Sequence, residues 1–139
     1  AFLYAPLENW EQIQTQRKKI WDFYNQELMF CQEYPIQLPS IPEYCEQSFH
    51  MFYLLLPTLD TRQALIEFLR ERGIWSVFHY LPLHLSEMGK RFGGRVGDCP
   101  VTENTSDRLL RLPFYNGLSQ NDQSYIVTAI KEYFRDFQN

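Results

Sequence analysis

The sequence predicts a two-layer α+β unit, a small sheet covered by helices on one face, and three observations point to it. Amphipathic helical stretches alternate with short aromatic and β-branched runs, and prolines end those runs. The 139 residues are 45% hydrophobic, enough for one packed core without disulfides or metals. There is no internal repeat and no low-complexity segment, so residues 1–139 read as a single domain.

Each element has its own signal. Over residues 6–31, Leu7, Trp10, Ile13, Ile20, Trp21, Tyr24 and Leu28 recur at spacings of three, four and seven, the period of one helix face. Pro6 suits the first turn of that long helix. Pro35, Pro39 and Pro42 make 34–44 an irregular connector. Residues 48–56 form a near-continuous apolar and aromatic run, predicted as a strand covered on both faces and stopped by Pro57. Asp60 and Gln63 resemble a capping pair for a helix with the stripe Ala64, Leu65, Phe68 and Leu69, ending at Gly73. Residues 74–80 predict a second strand, broken by Leu81 and Pro82, and 83–92 a short helix before the glycine-rich turn 93–97. A helical turn over 102–107 leads to a third strand at 109–112, which Pro113 terminates. The last helix has Ser119 as cap, Asp122 in its first turn and a buried stripe of Ile126, Ala129, Ile130, Tyr133, Phe134 and Phe137.

Charge and composition exclude several functions. The net charge is −4 and the basic residues are scattered, so no electrostatic footprint for nucleic acid exists. The odd number of cysteines, Cys31, Cys45 and Cys99, argues for a reducing, cytoplasmic setting. The longest apolar run, 51–57, is too short to span a bilayer, and no export segment opens the chain. The first residue is Ala1 rather than Met, and Ala1-Phe2-Leu3-Tyr4-Ala5 reads as if cut from something larger. An aromatic content of 17% then implies surface that another domain or a partner would cover.

The densest chemistry is Phe78-His79-Tyr80-Leu81-Pro82-Leu83-His84, two imidazoles and a phenol at a predicted strand end, where pockets form. Either these groups bind a ligand or the rings pack at a domain edge. Gly93-Gly94-Arg95-Val96-Gly97, preceded by Lys90 and Arg91, could wrap a phosphate but lacks the spacing of known phosphate loops, so a surface loop is the competing reading. No paired Cys or His spacing supports a metal site, and nothing in the sequence sets a histidine beside Cys99 for a thiol hydrolase. Lys18, Lys19, Lys90 and Lys131 all sit in polar surroundings, unlike a lysine prepared to form a Schiff base.

Two blocks carry a family resemblance: residues 76–86, Ser76-Val77-Phe78-His79-Tyr80-Leu81-Pro82-Leu83-His84-Leu85-Ser86, and 99–118, with Cys99-Pro100-Val101-Thr102-Glu103 and Leu109-Leu110-Arg111-Leu112-Pro113-Phe114-Tyr115. The chain resembles the C-terminal part of the DegT/DnrJ/EryC1/StrS aminotransferases over nearly all its length. The resemblance implies the small domain of a fold-type I enzyme, with a mainly antiparallel sheet packed by helices. It further implies transfer of an amino group from L-glutamate to a 4-keto-6-deoxy nucleotide sugar through pyridoxal and pyridoxamine phosphate. It sets His79, Tyr80 and His84 against the nucleotide sugar and, more loosely, Lys90, Arg91 and Arg95 near its diphosphate. The cofactor lysine would lie in a large N-terminal domain that this chain lacks, so no catalytic or cofactor-binding residue is expected here, and the isolated chain should be inactive and bind no cofactor. The implied parent is a homodimer with active sites at the subunit interface. A non-catalytic nucleotide-sugar-binding or protein-interaction domain is the competing reading.

Overall fold

A computed structural model describes residues 4–136. The N-terminal helical signal is divided: α1 (Tyr4–Glu8) and α2 (Trp10–Glu27) meet at Asn9, and a 3-10 turn, Met29–Glu33, follows. One helix over 6–31 was expected. Asn9 takes φ −115° and ψ 17°, outside helical geometry, as a residue that readily leaves the helix can. The stripe is also only half used, since Leu7 and Trp10 are exposed while Ile20, Trp21, Tyr24 and Leu28 are buried.

The expected strand 48–56 shrinks to β1 (Tyr53–Leu55) because Phe49 has φ 46°, a left-handed conformation that interrupts an extended run. Nor is β1 covered equally on both faces. Phe52, Leu54 and Leu56 are fully buried, whereas Met51, Tyr53 and Leu55 are intermediate, the period-two pattern of a sheet with one packed face.

Helix α3 (Leu59–Glu71) is capped two residues earlier than the expected pair: Thr58 Oγ1 accepts from the Thr61 amide at 3.1 Å, and Asp60 only occupies the first turn. Its buried residues are Arg62, Leu65, Ile66 and Leu69; Ala64 faces solvent and Phe68 is partly buried. The Gly73 stop is as expected, at φ 73°. Strand β2 is Val77–Phe78 alone; the 3-10 turn Leu83–Leu85 and helix α4 (Glu87–Arg91) replace a single helix over 83–92. Helix α5 (Pro100–Arg108) is longer than the expected turn because Pro100 occupies its first position, and it passes directly into β3 (Leu109–Arg111). Helix α6 (Gln120–Asp136) begins where expected, with Ser119 Oγ accepting from the Asp122 amide at 3.1 Å. Its face buries Ile126, Ala129, Ile130, Tyr133 and Phe134, together with Val127; Phe137 lies outside the described residues.

The sheet is antiparallel in the order β1-β3-β2, with Leu54 opposite Leu110 and Phe78 opposite Leu110. Pairing of β1 with β3 extends past both ends: the Leu112 amide donates to the Phe52 carbonyl and the Leu56 amide to the Arg108 carbonyl, each at 3.0 Å. The α+β class is therefore as expected. The core joins Leu54, Leu56 and Leu110 of the sheet to Leu65 and Leu69 of α3 and Ile130 of α6. On α2, Trp21 and Tyr24 lie 5.5 and 5.4 Å from the Phe52 ring, and the Tyr24 hydroxyl donates to the Pro113 carbonyl at 3.0 Å. Among the described residues no helix is long and apolar enough to cross a membrane.

Two consequences can be measured. Phe52→Ala removes a fully buried ring and should cost about 3–5 kcal/mol in urea unfolding, while Phe92→Ala, at an exposed ring, should stay within about 0.5 kcal/mol. Burial pushes the Cys31 thiol up to about 12 against the opposing charge of Lys131, and burial likewise raises the Tyr24 phenol. Both are neutral acids in the fold that ionise more easily when unfolded, so their stabilisation is complete below the unfolded values and is lost as pH rises. The urea midpoint should fall from about pH 8.5 upward, and alkylation of native protein should label the exposed Cys45 and Cys99 but spare the buried Cys31.

Candidate active-site edge

The segment after β2 is tied to two helices. Ser106 Oγ on α5 donates to the Tyr80 carbonyl at 3.0 Å, and Arg62 on α3 donates to the Ser106 carbonyl at 3.3 Å, tying the chain at Tyr80 to two helices. The His79 and Tyr80 rings meet edge to face at 5.1 Å, with Tyr80 76% exposed. Burial, followed by the charges of Arg111 and His50, holds the His79 imidazole below the usual histidine range. A hollow of about 260 Å³ opens between these two residues and Val101, Thr102 and Thr105 of α5.

His84 is engaged elsewhere. Its Nε2 lies 2.8 Å from Glu103 Oε1, and the same carboxylate accepts from the Gly97 amide at 2.9 and 3.1 Å and from the Cys99 amide at 3.3 Å. The His84 hydrogen bond holds Glu103 below the ordinary carboxylate range; partial burial opposes it, and the two amides add to it. One carboxylate thus fixes a histidine, a loop and the start of α5. Glycines supply the remaining fit: a Cβ at Gly89 would overlap the Leu83 carbonyl oxygen, and one at Gly94 the His84 carbonyl oxygen. Gly93 and Gly97, both at φ 94°, turn the loop around that contact.

Of the residues singled out from sequence, His79 and Tyr80 touch, and His84 is bound to the neighbouring loop. Lys90 and Arg91 are exposed on α4, and Arg95 makes a reciprocal pair with Asp98 through its backbone, its amide donating to Asp98 Oδ2 at 2.8 Å and its carbonyl accepting from the Asp98 amide at 3.2 Å. Glu103 is not among the residues singled out from sequence, although a Glu in the first turn after Pro100 is a signal for a side chain reaching back to the helix start. Nor are Arg62, Ser106 and Arg111, whose roles depend on strand register and helix packing. Among the described residues no cluster of three or more His, Cys, Asp or Glu could hold a metal ion, and Cys99 has no hydrogen bond to a histidine.

The lysines do not fit a covalent hold on an aldehyde cofactor. Lys18 pairs with Asp22 at 2.6 Å and Lys131 with Glu27 at 3.2 Å, both near the surface, and Lys19 and Lys90 are exposed. A Schiff-base lysine stands in a desolvated pocket, whereas these four are exposed, two of them paired with a carboxylate.

A three-stranded antiparallel sheet backed by helices is a fold this chain shares with solved aminotransferases. The chain belongs to the DegT/DnrJ/EryC1/StrS aminotransferase family, whose sequence model matches residues 1–131. It is 36% identical over 90 residues to a pleiotropic regulatory protein of Geobacillus stearothermophilus, covering 64% of this chain and 23% of that protein. It is 30% identical over 131 residues to an uncharacterized protein of Methanocaldococcus jannaschii, covering 91% of this chain and 33% of that one. Among solved structures, a DegT DnrJ EryC1 StrS aminotransferase of Brucella abortus superposes with TM-score 0.77 at 28% identity, over 94% of this chain and 34% of its own. A Streptococcus pneumoniae protein described as a sugar aminotransferase, solved in apo, PMP and PLP forms, gives TM-score 0.83 at 25% identity in its apo form, over 93% and 32%. The chain thus spans about a quarter to a third of the length of the curated relatives it matches.

The Glu103 hub can be tested directly. Its carboxylate is ionised above the ordinary value of about 4.3, so its contribution is present there and disappears as pH falls through the lowered folded value. The Gly97 and Cys99 amide proton resonances should therefore titrate together below about pH 4 and exchange faster at neutral pH in Glu103→Ala. Gly94→Ala should disturb the same resonances, whereas Gly117→Ala, whose Cβ meets only the Tyr115 ring at 3.8 Å, should not.

Proposed function

We propose that this chain is the small, C-terminal domain of a pyridoxal-phosphate-dependent nucleotide-sugar aminotransferase and forms one wall of its sugar-nucleotide cleft. The observation that carries the reading is the family match over residues 1–131, which includes the whole segment from β2 through α5. In this reading Tyr80 offers an exposed hydroxyl to a sugar, His79 lines the adjoining hollow, and His84 with Glu103 holds the segment that carries Lys90 and Arg91 of α4 and Arg95 of the following loop toward the diphosphate. The substrates are L-glutamate and a 4-keto-6-deoxy nucleotide sugar; residues 76–86 and 99–118 resemble dTDP-4-amino-4,6-dideoxygalactose transaminase, which acts on dTDP-4-dehydro-6-deoxy-D-glucose in enterobacterial common antigen synthesis. Pyridoxal phosphate, when bound in the parent, supplies the electron sink for amino transfer. Its lysine comes from polypeptide outside these residues, because Lys18, Lys19, Lys90 and Lys131 are unsuited to the role. The parent is a cytoplasmic homodimer, and this chain by itself is inactive.

The exposed, ion-paired lysines also favour a second reading, a non-catalytic domain that binds nucleotide sugar or a protein partner. Two measurements test the first reading. Borohydride treatment of this chain with pyridoxal phosphate should leave no reduced cofactor on a lysine; a lysine-linked chromophore together with sugar transamination would refute the claim that the chain is inactive. In the parent, Tyr80→Phe should lower kcat/KM for the sugar about 2–10-fold, the worth of one hydrogen bond, with the cofactor absorbance unchanged. Normal turnover in both Tyr80→Phe and His84→Ala would remove the cleft assignment.

A further inference from the structure

Arg111 stands in the middle strand of the sheet, opposite Tyr53 of β1 on one side and Val77 of β2 on the other. Opposed residues share a sheet face, so Tyr53, Arg111 and Val77 form a row on the face away from Leu54 and Leu110, which enter the helical core. His79, two residues beyond Val77, continues that face next to Leu109, which lines the same hollow.

Neither polar group is used internally. Arg111 Nε and His79 Nδ1 are both buried and both lack a hydrogen-bond partner, and among the described residues no carboxylate pairs with the Arg111 guanidinium. The contrast with Arg62 is instructive. Arg62 also has an unpartnered Nε, but its Nη1 donates to the Ser106 carbonyl at 3.3 Å and its guanidinium lies 5.5 Å from the Phe78 ring centroid, so its burial is explained by packing. Among the described residues Arg111 has no such contact. Removing a guanidinium nitrogen from water without an acceptor is costly, and the cost is recovered when a ligand supplies the acceptor. His50 adds a second imidazole close enough to bear on His79, and its own Nδ1 is satisfied by Ser48 Oγ at 3.0 Å. Glu46 borders the neighbouring hollow beside His50 and Tyr53 without an ion pair to Arg111.

We propose that the Arg111 guanidinium and the His79 imidazole form an oxyanion-binding site, for a carboxylate or a phosphate group, on the sheet face turned away from the helical core. The planar fork of arginine suits either group, and a neutral imidazole can donate the additional hydrogen bond. The site stands on the sheet geometry alone and does not depend on the transaminase reading.

The test follows the Arg111 Nε–H and His79 ring resonances of the 139-residue chain while inorganic phosphate, L-glutamate or, at matched ionic strength, sodium chloride is added. Saturable shifts of both groups with phosphate or glutamate, and none with chloride, are expected; the tighter of the two anions identifies the source of the oxyanion. Arg111→Gln should weaken that binding about tenfold or more. If Arg111→Gln does not fold, as judged from its amide spectrum, His79→Gln carries the same comparison. Shifts that fail to saturate, that chloride reproduces, or that persist with unchanged affinity in the folded variant would overturn the proposal.

Discussion

The antiparallel pairing of β3 with strands on both sides is the constraint on which the remaining structure rests. Three residues, Leu109–Arg111, are enough because the ladder continues through Phe52, Leu56, Arg108 and Leu112. Once that register is set, side-chain alternation sends Leu110 into the core and turns Arg111 to the opposite face. Slipping by one residue would exchange them, burying a guanidinium among Leu54, Leu65 and Ile130. Because α5 runs into β3 without a loop, the same register fixes where α5, and with it Glu103 and Ser106, stands relative to Tyr80 and His84.

Around that frame, ordered backbone is maintained at a site with little hydrophobic core. Residues 87–101 are almost all exposed or intermediate, including Phe92 and Val96. Order there comes from a shared carboxylate acceptor and from glycines that let the chain approach the His84 carbonyl. Such a region should be less protected against local opening than the Phe52–Leu110 core, since few apolar contacts must break to release it.

The chemistry of the chain divides in a corresponding way. Its polar groups suit holding and orienting a substrate: a phenol at the surface, a histidine fixed by a carboxylate, an arginine without an internal partner. Its amines do not suit covalent work, being exposed or ion-paired. The chain spans about a third of the length of the solved relatives it matches.

Much was legible in the residues themselves, because local signals act over a few positions. The face of α6 and its Ser119 cap, the stop at Gly73 and the third strand before Pro113 follow from helix period, side-chain capping and the missing proline amide, whatever surrounds them. The His79–His84 motif and the family it belongs to were readable for the same reason. Tertiary structure alone decided the rest. The break at Asn9, the shortening of β1 at Phe49, the burial of Arg62 on a face expected to be apolar, and the capture of His84 by Glu103 nineteen residues away each depend on which surfaces meet. Local periodicity carries no information about such long-range contacts, and for that reason Arg111, an ordinary charged residue in sequence, becomes distinctive only when its strand is seen between its two neighbours.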